Sequence, residues 1–472
     1  MQALKKVQLM EGIKMKKNLI ILASVALLIG GCAVGGKFSS PTVKSDTAYP
    51  NTTTTDSITS LKWFDLYKDE ALNNLIKTVL DSNRNLLIAT ARIEEARERA
   101  GIVKSEYLPS IGYSAGASTG QVGKNAQSVG AGRDGNSFSM YGRLNWEIDL
   151  FGKIRHANRA AQAQYLAEIE NRNGVMISLI AQTAEFYFVL SDLDNRLAIA
   201  ERTLGSRKEN TRLITERFNK GYVPELDKLQ AEQQEAFVAS SILETKRAII
   251  EIENALRVLS GQNPGTIQRG LPNQSQDMSA IIPAGIPSQL LQRRPDIRAA
   301  EKQLEAQFNY VGVAKANMFP SISLTGLLGF ASPQLNTMIS SDGFLATGAG
   351  SVFGPLFEFN KNRSRKRAEE YRLKQVAYSY EQTVLQAFSD VDNALYNYRS
   401  YAEQYEILDK QVMAASKALQ LTQARYDFGY TSYLEVIIQE DNLFQAENQR
   451  SLVLQKKLNA VVTLYKSLGG GW

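Results

Sequence analysis

The chain contains an internal duplication in which three blocks of the first half recur, in the same order, in the second half. The block "GIVKSEYLPSI" at 101–111 matches "GVAKANMFPSI" at 312–322, with an offset of 211 residues. Two further pairs share an offset of 208 residues: "FGKIRHANRA" (151–160) with "FNKNRSRKRA" (359–368), and "GYVPELD" (221–227) with "GYTSYLE" (429–435). Repeated blocks at a nearly constant offset predict two halves of similar structure.

Both halves show the same predicted order of elements. A helix rich in alanine, glutamate and arginine comes first and stops before a proline, and a β-hairpin and a long helical hairpin follow. The first repeat is predicted over 61–270, with its β-hairpin at about 110–150 and its long helices at about 153–260. The second is predicted over 271–472, with a helix from about 295, a β-hairpin at about 320–357 and long helices at about 362–468.

The long helices dominate the composition of both halves. The segment from about 153 to 220 has no proline, and its only glycines are Gly174 and Gly205. Roughly 65 helical residues would form a rod of about 100 Å. Apolar residues recur at helical spacing, among them Ile177, Ile180, Ala181, Ala184 and Phe188, which favours helix–helix packing as in coiled coils or helical tunnels. The fold class is therefore predicted as mainly α with a small β part.

The predicted strands alternate between apolar and polar residues. Within 139–150 one face carries Met140, Gly142, Leu144, Trp146, Ile148 and Leu150. Strands of about ten residues with one apolar face suit a transmembrane barrel, although surface hairpins of a soluble domain alternate in the same way. Four strands cannot close a barrel, and an open edge cannot face lipid. A membrane location would therefore need eight strands from two chains or twelve from three.

The N-terminal 31 residues are predicted to be a lipoprotein signal peptide, with Met15 as the expected start. A cationic stretch precedes an apolar run of roughly 11 residues, which is too short to span a bilayer. Cys32, the only cysteine, follows two glycines and is the expected lipidation site; a plain secretory signal is the alternative. Residues 32–60 are predicted to be an extended tether from the lipid anchor.

Charge and residue content argue against several classes of function. The leader carries +4 of the formal net charge of +6, so the mature chain has no basic surface that would indicate a nucleic-acid partner. His156 is the only histidine and is expected to be a solvated surface residue. We expect no enzymatic activity, no metal site and no cofactor.

The chain resembles the TolC-like outer-membrane efflux factors, in particular the lipoprotein branch that serves resistance-nodulation-division pumps. The motifs that carry the resemblance are "WFDLYKDEALNNLI" (63–76), "LNWEIDLFGKIR" (144–155), "LLQRRPDIRAAE" (290–301) and "FPSISLTGLLG" (319–329). In the third, Pro295 and Asp296 suit the first turn of a helix. Asn360 departs from the repeat because it stands where the first half has Gly152.

The resemblance implies a homotrimer with a 12-stranded β-barrel in the outer membrane, continuous with a long periplasmic α-helical barrel. It implies as partners a periplasmic adaptor (membrane fusion protein) and an inner-membrane resistance-nodulation-division transporter. The implied function is an outer-membrane exit duct for passive multidrug efflux. Protein export by a type I secretion system and a lipid-anchored structural coiled-coil protein are the alternatives.

The duplicated turn is the candidate site. Gly221 and Gly429 are predicted to end helices in the left-handed conformation, and Asp227 and Glu435 lie in the first turns of the next helices. These acids either compensate the helix dipole or, as the resemblance implies, line a periplasmic gate. Four neighbouring residues are predicted to brace the helices through salt bridges and hydrogen bonds: Arg217, Phe218, Arg425 and Tyr426.

Overall fold

The computed structural model describes residues 36–39, 64, 67–120, 135–276 and 293–470. The leader, Cys32 and most of the predicted tether lie outside these residues. The chain forms two compact units, each built from three segments: 1–41, 94–167 and 300–380 in unit 1, and 42–93, 168–299 and 381–472 in unit 2. In unit 1 the ring of Phe38 lies 5.8 Å from that of Phe308, so the tether is held at this point.

The described residues form seven α-helices, four strands and three short 3-10 helices. The helices are α1 (Glu70–Ser82), α2 (Arg84–Ser105), α3 (Lys153–Asn219), α4 (Glu225–Leu259), α5 (Pro295–Ala316), α6 (Lys361–Asp427) and α7 (Tyr433–Ser467). The strands are β1 (Ser110–Gly120), β2 (Gly135–Ile148), β3 (Ser321–Ser332) and β4 (Phe344–Phe353). The bounds of α2 recur in α5 at an offset of 211 residues, and those of α3 and α4 recur in α6 and α7 at 208. The mainly α fold with a small sheet is confirmed.

The four strands form one antiparallel sheet in the order β1-β2-β3-β4. In the first hairpin Ser110 pairs with Asn145, and in the second Ser321 pairs with Phe353. An offset of 211 residues relates Ser110 to Ser321, and an offset of 208 relates Asn145 to Phe353. The two hairpins therefore have the same strand register. The predicted apolar face is continuous, because Tyr113 pairs with Gly142 and Trp146 with Leu324.

In unit 1, His156 contradicts its expected surface position because it is only 4% exposed. Its Nδ1 lies 2.9 Å from Oδ1 of Asn309 on α5. The amide nitrogen of Asn309 donates to the carbonyl oxygen of Glu305, so its oxygen is the acceptor for the imidazole. A Cβ at Gly312 would lie 2.6 Å from the His156 ring. The basic neighbours of His156 in the sequence concealed that the ring points toward α5.

The turn that precedes α6 keeps a left-handed residue at position 360 although asparagine replaces glycine, but Phe359 before it is left-handed as well, with a φ of +44°, unlike Phe151 in the first half. Gly152 has a φ of +85° and Asn360 one of +67°. Asparagine tolerates the left-handed region better than other residues with a side chain do. The departure from the repeat therefore does not abolish the turn.

Unit 2 has an apolar core in which α3 is prominent, with Ile180, Ala184 and Phe188 buried against Leu458 and Val462. Among the described residues α3 is also the one helix whose length and composition would allow it to cross a membrane, but half of its most apolar stretch is buried in the protein. That burial identifies α3 as a core helix.

The "RRPD" motif ties several elements of unit 2 together. Helix α5 begins at Pro295, as predicted, and Arg294 contacts Asp296 at 2.6 Å and Asp390 at 3.0 Å. Nη1 of Arg294 also donates to the carbonyl oxygens of Ala387 and Ser467. One buried guanidinium thus joins the start of α5 to α6 and to the end of α7.

Candidate gate at the duplicated turn

The two duplicated turns have the same backbone geometry. The φ angle is +77° at both Gly221 and Gly429. The N–H of Gly221 donates to the Phe218 carbonyl at 2.8 Å, and that of Tyr222 to the Arg217 carbonyl at 2.9 Å. Gly429 and Tyr430 repeat the pattern on the carbonyls of Tyr426 and Arg425. These paired bonds form a Schellman motif, which requires a left-handed residue after the helix. The predicted helix ends are confirmed.

The next helices begin without a side-chain cap. Pro224 and Ser432 occupy the N-cap positions of α4 and α7, and neither side chain caps the helix. Asp227 and Glu435 are the third residues of these helices, where a capping box would place an acid that accepts from the N-cap N–H. Pro224 has no N–H to donate, and no such bond to Glu435 is found among the described residues. These two acids can therefore stabilise their helices only through the weaker interaction of their charges with the helix dipole.

An apolar cluster joins the two turns. The buried residues Ile214, Ala231, Tyr433, Val436 and Ile437 pack with the half-buried Val223, Leu419 and Tyr426. These residues come from the ends of α3 and α6, the starts of α4 and α7, and the first turn itself. A movement of one turn must therefore be accommodated by the other.

Three of the four predicted bracing residues make aromatic contacts. The guanidinium of Arg217 lies 5.2 Å from the centre of the Tyr426 ring, and the Nζ of Lys228 lies 5.7 Å from that of Phe218. The Tyr426 ring in turn lies 5.6 Å from the ring of Tyr433. Within the described part of the chain, the side chains of Arg217 and Arg425 form no salt bridge or hydrogen bond. The predicted salt bridges are therefore replaced, at Arg217, by a cation–π contact.

The two acids differ in environment. Glu435 is exposed and Asp227 is half-buried. Loss of hydration raises the pKa of Asp227 above its ordinary value. The carboxylate of Asp227 also contributes to the raised pKa of Tyr433, but burial of this tyrosine and the carboxylate of Glu440 contribute more. The structure thus places Asp227 near the apolar cluster and Glu435 at the surface of the chain.

Two hydroxyls in this region lack a partner. Tyr426 Oη and Thr431 Oγ1 are buried and have no hydrogen-bond partner among the described residues. A buried hydroxyl without a partner destabilises the conformation that buries it. The contact of Tyr426 with its neighbours consequently depends on its ring.

Sequence reasoning missed a buried charge network behind the turns. Arg207 on α3 is 2% exposed, donates to the side chain and carbonyl of Gln234 on α4 and lies 3.4 Å from Asp441 on α7. Nearby, the amide of Asn210 donates to Glu440 at 2.6 Å. Burial raises the pKa of Glu440, and Arg207 and Asn210 oppose that rise. The sequence does contain a signal for the burial of Arg207, because this residue lies on one helical stripe with Ala200, Leu204, Thr211 and Ile214.

The polar contacts between α3 and α7 continue beyond this network. Ser451 donates to Asp192 at 2.5 Å and accepts from Asn195 at 2.9 Å, and Arg202 pairs with Glu447 at 2.5 Å. Burial raises the pKa of Asp192. Polar groups thus recur along an interface that the apolar periodicity predicted as core.

Comparisons with known proteins agree on one family. The family described as "Outer membrane efflux protein" matches residues 75–262 and 286–470. The solvent efflux pump outer membrane protein SrpC of Pseudomonas putida is 31% identical over 460 residues, spanning 94% of this chain and 97% of that protein. The cation efflux system protein CusC of Escherichia coli O157:H7 is 28% identical over 456 residues, spanning 95% and 97%.

A solved structure supports the same conclusion. The CmeC outer membrane channel of Campylobacter jejuni matches with a TM-score of 0.87 at 26% sequence identity. The match covers 93% of this chain and 95% of that one. The similarity therefore extends over nearly the full length of both chains.

Proposed function

This chain belongs to the outer membrane efflux protein family, and we propose that it forms the homotrimeric exit channel of a tripartite efflux pump. The channel conducts small molecules passively outward. A periplasmic adaptor and an inner-membrane transporter of the resistance-nodulation-division type supply coupling and energy. The chain itself carries out no catalysis.

The observation that carries the proposal is the sheet. Its four strands present one continuous apolar face, and β1 and β4 have no further partner strand among the described residues. Hydrocarbon offers no hydrogen bonds, so a sheet in a membrane must close on itself. Other copies of the chain have to supply the missing strands, and three copies give twelve strands, a number known for such barrels.

Unpartnered helix faces support assembly as well. Large apolar residues at helical spacing are exposed on α4: Leu226, Leu229, Leu243, Ile250 and Val258. A second exposed series runs along α6: Leu385, Tyr396, Ile407, Met413 and Leu421. Apolar stripes of this length on monomeric proteins are unusual. We propose that neighbouring copies cover them.

We further propose that the duplicated turns form the periplasmic gate. Three copies would place six carboxylates, from Asp227 and Glu435, around the constriction. The exposed Glu435 is available to the passage, and the contact of Arg217 with Tyr426 holds the two turns of one chain together. A ring of carboxylates favours cations over anions.

Cys32 is the proposed lipid anchor in the outer membrane. The proposal is supported by the apolar run and the two glycines that precede this single cysteine. Replacement of Cys32 by serine should abolish labelling of the protein with radioactive palmitate. Labelling that persists in Cys32→Ser would show that the anchor is elsewhere or absent.

The substrate is proposed to be selected by the inner-membrane transporter. Relatives of nearly equal similarity are named for solvent efflux and for cation efflux. One channel architecture thus accompanies chemically unrelated cargo. Small molecules are the proposed cargo here, without restriction to one chemical class.

Conductance of purified protein in planar lipid bilayers tests the channel proposal. We expect discrete single-channel currents and a mass in detergent of three chains. A trimer that never conducts would support a structural coiled-coil protein instead. Restoration of protein export, but not of drug resistance, in a strain without its own channel would support type I secretion.

A further inference from the structure

The four strands carry only two charged residues, Arg143 and Glu147, and both belong to β2. Strand alternation places them, with Tyr141 and Asn145, on the face opposite the apolar one. In the proposed channel the apolar face meets lipid, so this polar face lines the water-filled passage. A charge within a membrane-spanning segment is costly and marks a pathway for ions or substrate. The two residues therefore require an explanation.

Glu147 is neutralised within the chain. The Nζ of Lys153, the first residue of α3, lies 3.0 Å from one carboxylate oxygen of Glu147 and 3.1 Å from the other. Both oxygens thus share one ammonium group. The pair contributes no net charge to the polar face of the sheet.

Arg143 has no such partner. It is exposed, and its side chain forms no ion pair or hydrogen bond with any residue that the structure describes. Glu147 lies four residues farther along β2, a displacement of about 13 Å. The residues opposite Arg143 on the two neighbouring strands are Gly112 and Leu327, and neither can balance a charge. Arg143 is therefore an uncompensated cation.

The surroundings of Arg143 leave room for an anion. A Cβ added at the opposite Gly112 would meet no atom within 4 Å, so the space beside the arginine on β1 is open. Ser114, which lies opposite Tyr141, is a diagonal neighbour and offers a hydroxyl donor. The planar guanidinium carries five N–H donors in a fork that suits carboxylate and other oxyanions. All of these donors are available to a solute in the passage.

Other copies of the chain cannot neutralise this charge through their strands. Each copy brings the same strands, in which Glu147 is the only carboxylate and already binds Lys153. Twelve strands at about 4.8 Å spacing and about 40° tilt give a circumference of about 75 Å, so equivalent residues are about 25 Å apart along the wall. The radius is about 12 Å, and the guanidinium comes within one Debye length, about 8 Å, of the axis.

We infer that Arg143 forms a ring of three positive charges that attracts anions within the sheet and binds the anionic groups of solutes as they pass. Rings of arginine select anions as rings of carboxylates select cations. The ligands are of one chemical class, small anions and solutes with a carboxylate. The inference rests on the proposed channel, but it concerns a different residue and the opposite charge from the proposed gate.

Reversal potentials of full-length protein in planar bilayers under a KCl gradient test the inference. The parent for this comparison carries Asp227→Asn and Glu435→Gln, so that the proposed gate carboxylates do not mask the effect. We expect this channel to prefer chloride, and we expect Arg143→Gln to bring chloride and potassium permeability to near equality. The difference should shrink at 1 M salt, where the Debye length is about 3 Å.

Two further variants separate charge from other effects. Arg143→Lys keeps the charge and should retain the preference for chloride. Glu147→Gln combined with Lys153→Gln changes two polar side chains on and beside the same strand without a change in net charge. This matched control should have the reversal potential of the parent.

The outcomes distinguish the inference from the proposed function. A conducting Arg143→Gln channel with an unchanged reversal potential would overturn the inference and leave the channel intact. The inference also fails if Arg143→Lys behaves like Arg143→Gln, or if the charge-neutral control shifts the potential as much as Arg143→Gln does. If no variant and no parent conducts, the proposed channel itself is refuted.

Discussion

The guanidinium carbon of Arg217 lies 5.2 Å from the centre of the Tyr426 ring, which joins the ends of the two long outgoing helices, α3 and α6. These residues also accept, through their backbone carbonyls, hydrogen bonds that close the two turns. A contact of this kind contributes about 0.5–2 kcal/mol. It therefore links the positions of the two turns directly.

Removal of the Tyr426 ring should favour the open channel. Loss of about 1.4 kcal/mol would raise the ratio of open to closed channels about tenfold. Tyr426→Ala should increase open probability in planar bilayers and sensitise cells to large antibiotics. Tyr426→Phe is the control, because it keeps the ring and removes a buried hydroxyl that has no partner among the described residues, so its open probability should not exceed that of the parent. Equal effects of both substitutions would contradict a role for the ring.

Neutralisation of the two acids should weaken cation selectivity. Asp227→Asn with Glu435→Gln removes six charges from a trimer while retaining side-chain size. The reversal potential in a KCl gradient should move toward that of chloride. Glu225→Gln, at the first residue of α4, is the matched control. An unchanged reversal potential in the double variant would leave only the dipole role for the pair.

Acid should reduce this selectivity at a higher pH than an ordinary aspartate would predict. The pKa of Asp227 is raised by desolvation, so its carboxylate takes up a proton before a fully hydrated one does as the pH falls. Selectivity should decline as the pH drops toward that raised pKa. A series of reversal potentials at decreasing pH would measure this decline in cation selectivity. In the variant Asp227→Asn, the part of the decline that protonation of Asp227 causes should be absent.

Arg294 should not be replaceable by lysine. Its guanidinium serves two carboxylates and two backbone carbonyls at once, and an ammonium group cannot reproduce that geometry. Arg294→Lys should destabilise the protein by about 1–3 kcal/mol, through unpaired buried groups. Arg293→Lys is the control in thermal unfolding, since the Arg293 side chain forms no ion pair within the described residues. Similar unfolding midpoints for both variants would refute this assignment.

The two repeat-related glycines should respond oppositely to alanine. A Cβ at Gly312 would approach His156 to 2.6 Å, whereas the environment of Gly101 within the chain is open. Overpacking should destabilise Gly312→Ala by about 1–3 kcal/mol, while Gly101→Ala should stabilise the helix by about 0.5–1 kcal/mol. His156→Ser, the residue found in the second half, should rescue Gly312→Ala. Thermal unfolding of the four variants measures this, and failure of the rescue would exclude the imidazole as the obstacle.

Much of the local structure was predictable from the sequence. The offsets between "GIVKSEYLPSI" and its copy, and between the two "GY" turns, anticipated where the helices of both halves begin and end. The alternation from 139 to 150 predicted the apolar face of the sheet. These features depend on periodicity and on glycine or proline at helix ends, which act over a few residues.

The burial of individual polar residues was not predictable in the same way. His156 was expected in solvent because its neighbours are basic, yet α5 covers it. Arg207 follows an apolar stripe, but its carbonyl and carboxylate partners come from α4 and α7. Residues distant in sequence supply these contacts, so local patterns carry no information about them.

The sequence by itself determined the repeat, the helices, the faces of the strands and the two glycine turns. Only the tertiary structure decided that β2 pairs with β3 within the chain, and that α5 buries several side chains where residues 94–105 of its counterpart α2 bury none. It also showed that Asp227 and Glu435 do not cap their helices through side-chain hydrogen bonds. The physical reason is that sequence periodicity specifies which face of an element is apolar, whereas packing specifies which element covers that face.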